Sequence, residues 1–324
     1  MNFLKFLSSF SLIYFSLLGW CVNSWFTLWI LMEASFLFFV VLVVFDANYG
    51  VTEFLIKYFI VQILSGVGLL ICLLLWMFQV SFNMVWLNVI FLFVKIGFAP
   101  FHFWLISILG KMPWLGAFFM FTFMKLLPLL MMIYSLELQG LWCFLCLPAL
   151  VGSLWGMGNS AIQKVLGYSG MVNGCWLLAA SAISDSVFFF FFLGYVFVLF
   201  SLFCLFNSSN FWYVSQFKFN SFNVVNVVIF FLGAVNFSGI PPFLGFFIKL
   251  MVSFSYMFMD FSIFFCILVL FSLFSLIYYF NIYFYFMIIS FFSSKSYVFN
   301  FYCYIWSFSF FFISFLLLFF SLGF

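Results

Sequence analysis

Apolar runs of about twenty residues follow one another along nearly the whole chain, parted only by short polar, glycine or proline clusters. Wound into an α-helix, a run of that length matches the ~30 Å hydrocarbon core of a bilayer. In lipid every backbone N–H and C=O must find its partner inside the protein, so runs this long are expected to be helices. The expected fold class is therefore an all-α integral membrane protein. Composition agrees, with 69% of the 324 residues hydrophobic and 5% charged and a mean hydropathy of +1.39; a soluble domain carries roughly a quarter charged residues. The formal charge of +3 then bears on topology, and no nucleic-acid partner is expected. The 64 phenylalanines fill positions where lipid accepts any large apolar side chain, and no function is assigned to them.

Breaks at polar, Gly and Pro clusters divide the chain into eleven expected spans, near residues 4–22, 25–45, 54–77, 83–106, 113–134, 138–156, 161–183, 187–206, 222–257, 261–289 and 302–322. The first lacks a small-residue cleavage pattern, so it is expected to be retained. No Arg/Ser-rich presequence precedes it, as expected of a bacterial-type membrane protein or of a chain made inside the organelle that uses it. The ninth is too long for one straight crossing and contains Gly239, Pro241 and Pro242, so a broken helix is expected there. Alternating the loops places Lys5, Lys111, Lys164, Lys218 and Lys295 on one face with Asp46 and Glu53, while Glu137, Asp185 and Asp260 share the other with no lysine. By the positive-inside rule the N-terminus faces the cytoplasm or mitochondrial matrix, and an odd count puts Phe324 opposite.

Against this background four charges stand out. A charge at bilayer depth costs at least ~2.5 kcal/mol, and such residues mark ion pathways and proton relays. Glu33, Lys95, Lys125 and Lys249 each interrupt an apolar run. Lys95 and Lys125 both lie about twelve residues into their spans, roughly 18 Å from the helix start. Glu33 lies in a span running the same way as that of Lys95, at a depth matched to within a turn or two, which invites pairing. Pairing keeps a buried lysine charged, and separation favours its neutral form. A static ion pair that only fastens helices is the alternative. Lys95 precedes Pro100 by five residues and Lys249 follows Pro242 by seven. Their helices cross in opposite directions, as inverted repeats require, and Ala99-Pro100-Phe101 faintly echoes Pro241-Pro242-Phe243. The chain is accordingly read as a single transmembrane domain, 1–324, with approximate repeats 4–134 and 138–289 and a final helix 302–322.

Three further residues are secondary candidates. Lys57, one turn from Glu53, can snorkel or form a local ion pair. His102 sits near the positive face, suited either to proton relay or to interfacial anchoring. Lys164 belongs to a polar entry to the seventh span with Asn159, Ser160, Gln163, Tyr168, Ser169 and Asn173, which can line a half-channel or simply cap and anchor the helix. Cys143 and Cys146 form a C-x-x-C without a second pair or a nearby histidine, so no metal site is expected. With no arginine in the chain, the usual bidentate clamp for phosphate or carboxylate substrates is missing.

The stretches Trp29-Ile-Leu-Met-Glu33, Lys57-Tyr58-Phe59, Lys95-Ile-Gly-Phe-Ala-Pro-Phe-His-Phe-Trp104, Lys125-Leu-Leu-Pro128, Lys164-Val-Leu-Gly-Tyr-Ser169 and Gly239-Ile-Pro-Pro-Phe-Leu-Gly-Phe-Phe-Ile-Lys249 occur in this order. As an ordered set they resemble the antiporter-like membrane subunits of mitochondrial NADH:ubiquinone oxidoreductase, respiratory complex I. Length and the lysine at 249, where a larger sister subunit has glutamate, favour the short, subunit 2 branch with eleven helices instead of fourteen. The resemblance implies a proton-translocating subunit in the mitochondrial inner membrane, its N-terminus in the matrix and its C-terminus facing the intermembrane space. It implies Glu33 and Lys95 as a coupled pair, Lys125 as the central relay and Lys249 as the terminal proton site. Sister antiporter-like subunits and lipids such as cardiolipin are the implied partners, and no cofactor is expected here, since flavin, iron–sulfur clusters and quinone belong to other subunits. Ser238 and Ile248 stand where a glycine and a proline are expected, and Asn173 where histidine is common, so the link from Lys125 to Lys249 departs most from the family pattern. Two rival functions are a self-contained cation/proton antiporter and a structural spacer without its own proton path.

Overall fold

The computed structural model describes residues 2–45, 49–78, 84–135, 138–209, 212–214, 216, 233, 236–240, 243–256 and 262–292. They are almost entirely helical: α1 (Asn2–Leu18), α2 (Trp25–Val44), α3 (Tyr49–Met77), α4 (Met84–Ile96), α5 (Phe103–Leu109), α6 (Trp114–Phe121), α7 (Phe123–Ser135), α8 (Leu138–Trp155), α9 (Ile162–Ser181), α10 (Asp185–Ser209), α11 (Leu244–Tyr256) and α12 (Ser262–Phe292). Six segments among the described residues are long and apolar enough to cross a membrane, in α1, α2, α3, α6 with α7, α10 and α12. Eleven spans are expected from sequence; of these the last, 302–322, lies outside the described residues, as do Pro241, Pro242, Lys218 and Lys295. The chain divides into two compact units, Met1–Pro148 and Ala149–Phe324, with the boundary inside α8.

In the first unit α2 packs against α1, α3 and α7, and α4 against α3 and α7. α3 shows how an all-apolar helix is oriented. Tyr58, Gln62, Ser65, Leu69 and Cys72 are buried, whereas Ile56, Ile60, Leu64, Val67, Ile71 and Leu74 are exposed. Both sets repeat at helical spacing, but the inner stripe holds the polar groups and the outer one is uniformly aliphatic. An exposed apolar stripe of this extent is a surface made for lipid or for another membrane subunit.

Two expected spans are each two helices. The span expected at 83–106 stops at Ile96, because Gly97 takes φ +78°, a conformation glycine adopts without steric penalty. The Phe98 amide then bonds back to the Phe93 carbonyl at 3.0 Å, the wide turn of a Schellman ending. The second, expected at 113–134, is interrupted at Thr122 (φ −106°, ψ −88°), whose hydroxyl donates to the Phe118 carbonyl at 2.8 Å. α7 then continues through Pro128. In the second unit α9 packs against α10, α11 and α12 and is buried along nearly its whole length.

Candidate functional site

Glu33 lies in α2 and Lys95 in the last turn of α4. The Lys95 ammonium donates to Glu33 Oε1 at 2.6 Å, with the lysine side chain 3% exposed and the glutamate 24%. A cation in a last turn is also favoured by the partial negative charge of the helix end. Gly66 of α3 makes room for this pair, since a β-carbon there would collide with the Glu33 carboxylate. The same close approach lets Trp29 Nε1 donate to the Gly66 carbonyl at 2.9 Å.

Ending α4 at mid-unit frees carbonyls that lipid cannot satisfy. Side chains take them up: Trp104 Nε1 donates to the Val94 carbonyl at 3.0 Å, and Gln62 Nε2 to the Lys95 carbonyl at 3.1 Å. Gln62 thus fixes the backbone of the very residue whose ammonium meets Glu33. Lys125 follows the Thr122 interruption, buried, with its ammonium 5.4 Å from the centre of the Phe121 ring, within cation–π range. Lys95, Lys125, Tyr58, Gln62 and Ser35 line one cavity of about 20 Å³, room for roughly one water. The structure therefore brings three of the four expected residues, Glu33, Lys95 and Lys125, into one site within the first unit.

Lys249 belongs to the second unit, in α11. Its ammonium donates to the Ser238 carbonyl at 2.8 Å and lies 5.8 Å from the centre of the Trp176 ring. Gly239 takes φ +85° beside it, turning the chain so that the Ser238 carbonyl faces the lysine. Asn236 Oδ1 accepts from the Gly245 amide at 2.9 Å, capping the start of α11. Lys249, Asn173, Tyr195 and Asn236 line a second cavity of about 20 Å³.

The secondary candidates have different settings. Lys57 is exposed and pairs with Glu53 at 2.7 Å, while Lys111 reaches the same carboxylate at 2.8 Å. The start of α3 and the turn between α5 and α6 therefore lie at one end of the first unit. His102, expected at a positive-face mouth or interface, is buried, at 2% exposure, with its ring 4.3 Å from that of Phe103. Lys164 is the third residue of α9 and partly buried, and Asn159 donates to the Trp155 carbonyl at 2.7 Å, closing the end of α8. Cys146 is a free thiol.

Among known sequences, the profile of the NADH:quinone oxidoreductase/Mrp antiporter transmembrane family matches residues 22–278. The chain belongs to this family. Within it, NADH-ubiquinone oxidoreductase chain 2 of Anopheles gambiae is 28% identical over 239 residues, covering 71% of this chain and 70% of that one. Its counterpart in Artemia franciscana is 30% identical over 232 residues, covering 71% and 73%. Among solved structures, a chain of respiratory complex I from Thermus thermophilus superposes with a TM-score of 0.71 at 18% identity, covering 81% of this chain and 65% of that one. A chain of the Mrp complex from a Dietzia species gives 0.68 at 18% identity, covering 80% and 56%. At such identity the likeness is one of fold, and this chain spans about two thirds or less of those two chains. It is an antiporter-like, multi-pass membrane subunit.

Sequence reasoning passed over several residues that build this family member's site. Gly66 and Gln62 position the Glu33–Lys95 pair, Thr122 interrupts the helix before Lys125, and Tyr58 and Tyr195 are among the residues that line the two cavities. Tyr58 stands inside a quoted motif, but as an aromatic in an apolar helix it carries no signal of polar duty.

Proposed function

We propose that the chain is the short antiporter-like subunit of the membrane arm of an NADH:ubiquinone oxidoreductase in the mitochondrial inner membrane, and that it carries protons through Glu33, Lys95, Lys125 and Lys249. The observation that carries this reading is the buried Lys95–Glu33 pair sharing one cavity with Lys125. While the carboxylate stays at 2.6 Å, the lysine charge is compensated. Drawing Glu33 away leaves an uncompensated buried cation, and the strain is relieved when Lys95 gives up its proton toward Lys125. Lys249, whose ammonium rests on a backbone carbonyl instead of a carboxylate, is the release site.

Each proton moved against the membrane potential costs about 2.3 kcal/mol per 100 mV. That energy comes from NADH oxidation in partner subunits, which hold the flavin, iron–sulfur clusters and quinone. The proposal includes eleven spans interrupted at Pro100 and Pro241-Pro242, a matrix-side N-terminus, sister antiporter-like subunits as neighbours and anionic lipid such as cardiolipin on the exposed apolar faces. The secondary roles of Lys57, His102 and Lys164 belong to it as entry-side groups. The similarity to proteins named NADH-ubiquinone oxidoreductase chain 2 supports the assignment.

The test is Lys125→Met in the assembled complex, reconstituted in vesicles. NADH oxidation is expected to continue with fewer protons moved per NADH. Unchanged pumping by a fully assembled Lys125→Met complex overturns the reading.

A further inference from the structure

We infer that Trp176 is the positioning residue of Lys249, its indole face holding the ammonium in the place that the Glu33 carboxylate takes for Lys95; this rests on the proton-carrying reading above. The two lysines have different settings. Lys95 meets a carboxylate at 2.6 Å. Among the described residues Lys249 forms no ion pair. Its ammonium donates to the Ser238 carbonyl at 2.8 Å and lies over the Trp176 ring, 5.8 Å from the centre. An aromatic face attracts a cation within about 6 Å of its centroid, most strongly when the ring is tryptophan and the site is desolvated.

The indole is mounted on three helices. Trp176 of α9 is 1% exposed, and the Phe265 ring of α12 meets its own at 5.7 Å and 87°. Phe265 in turn stacks on Tyr256 of α11 at 5.7 Å and 15°, and the Tyr256 hydroxyl donates back to the Ala179 carbonyl of α9 at 2.6 Å. Tyr256 and Lys249 are seven residues apart, about two turns along one face of α11. The helix that carries the lysine is therefore tied to the helix that carries the indole at a second level. The turn at Gly239 closes on the same side chain, since a β-carbon there would lie 3.0 Å from Lys249 Cδ and 3.2 Å from Nζ. Indole and turn together confine the ammonium.

The indole N–H shows that the face of the ring is what the site uses. Trp29 and Trp104 spend their N–H groups on backbone carbonyls. Trp176 Nε1 is buried without a hydrogen-bond partner among the described residues, which is destabilising. Phenylalanine would occupy the position without that penalty. What indole adds is apolar area and a stronger attraction for a cation.

This hold depends on the charge itself. The ring attracts the ammonium and has no such attraction for the neutral amine, so the contact is made when Lys249 takes up a proton and lost when it gives the proton away. Trp176 gains and loses none. In the first unit Glu33 has to move to unsettle Lys95, whereas in the second no partner side chain has to move.

The experiment compares Trp176→Phe, Trp176→Leu, Lys249→Met and Trp176→Leu/Lys249→Met in the assembled complex in vesicles, reading assembly and protons moved per NADH. Phenylalanine and leucine are both smaller than tryptophan, but only phenylalanine keeps an aromatic face. Trp176→Phe is expected to retain most of the parental proton yield, Trp176→Leu to fall to the level of Lys249→Met, and the double variant to fall no further. Equal yields in Trp176→Phe and Trp176→Leu beside an impaired Lys249→Met overturn the inference and leave the relay intact, as does a double variant that pumps less than Lys249→Met, because the ring then acts by packing alone. Parental pumping in Lys249→Met removes the release site and the inference with it. Where Trp176→Leu does not assemble, the double variant decides: assembly regained once the charge is gone supports the inference, and failure to assemble overturns it.

Discussion

Replacing Glu33 with glutamine removes one charge of the buried pair and leaves the other in place. The Lys95 side chain is 3% exposed and that of Glu33 24%, so the lysine has little water to fall back on. At a charge separation of about 4 Å and an effective dielectric of about 20, the lost attraction is ~4 kcal/mol. Breaking a buried pair by removing one partner typically destabilises by about 3–5 kcal/mol. An upper bound comes from the lysine itself: neutralising an ordinary ammonium at pH 7 costs about 4.6 kcal/mol, being 1.36 times the 3.4-unit gap to 10.4, and no larger penalty need be borne. The partial exposure of Glu33 moves the expectation to the lower end, about 3 kcal/mol.

The informative comparison adds Glu33→Gln/Lys95→Met, which removes both charges and places a similar volume of apolar side chain. Thermal inactivation of the membrane-bound complex is expected to come earlier in Glu33→Gln and to return most of the way in the double variant, since apolar replacement of a whole buried pair is often neutral or stabilising. Proton pumping at matched NADH oxidation is expected to be impaired in both. That separates a relay from a fastener: a pair that only ties α2 to α4 lets the double variant recover pumping together with stability. Parental pumping in the stable double variant refutes the relay, and parental stability in Glu33→Gln refutes the electrostatic argument.

Two glycines give sharper structural tests. Gly66→Ala places a β-carbon against the Glu33 carboxylate, the far end of a flexible side chain, so the carboxylate should swing aside and loosen its 2.6 Å contact with Lys95, lowering the proton yield more than the thermal midpoint; a proton yield equal to the parent's would show that the pair works without this contact. Gly245→Ala drives a β-carbon into the Asn236 backbone carbonyl, which cannot rotate aside as a side chain can, and threatens the 2.9 Å bond from the Gly245 amide to Asn236 Oδ1. The expected result is loss of the subunit from the assembled complex on native gels, and normal incorporation would contradict the turn that presents the Ser238 carbonyl to Lys249.

Position along a helix axis is what this sequence discloses, because the rise per residue converts sequence distance into membrane depth, and a charge in an apolar run cannot be mistaken for filler. Glu33 and Lys95 can be matched in depth on that basis, and they meet. Direction around the axis is hidden. In a soluble helix a continuous polar face betrays the outside, but in α3 only Gln62 and Ser65 break the buried apolar face, too thin a stripe to turn Gly66 toward Glu33. Breakers place an interruption only roughly: Pro100 lies in the break between α4 and α5, yet α4 already ends at Gly97 through a backbone hydrogen bond, and the interruption at Thr122 has no proline or glycine beside it. Tyr58 and Tyr195 are concealed by both effects at once. Their rings satisfy the apolar pattern, and only the packing of the helices places each beside a cavity that a lysine also lines. In a membrane protein of this composition, buried charges are therefore visible as a sequence of depths, whereas the neutral residues packed around them become visible only when the helices are turned toward one another.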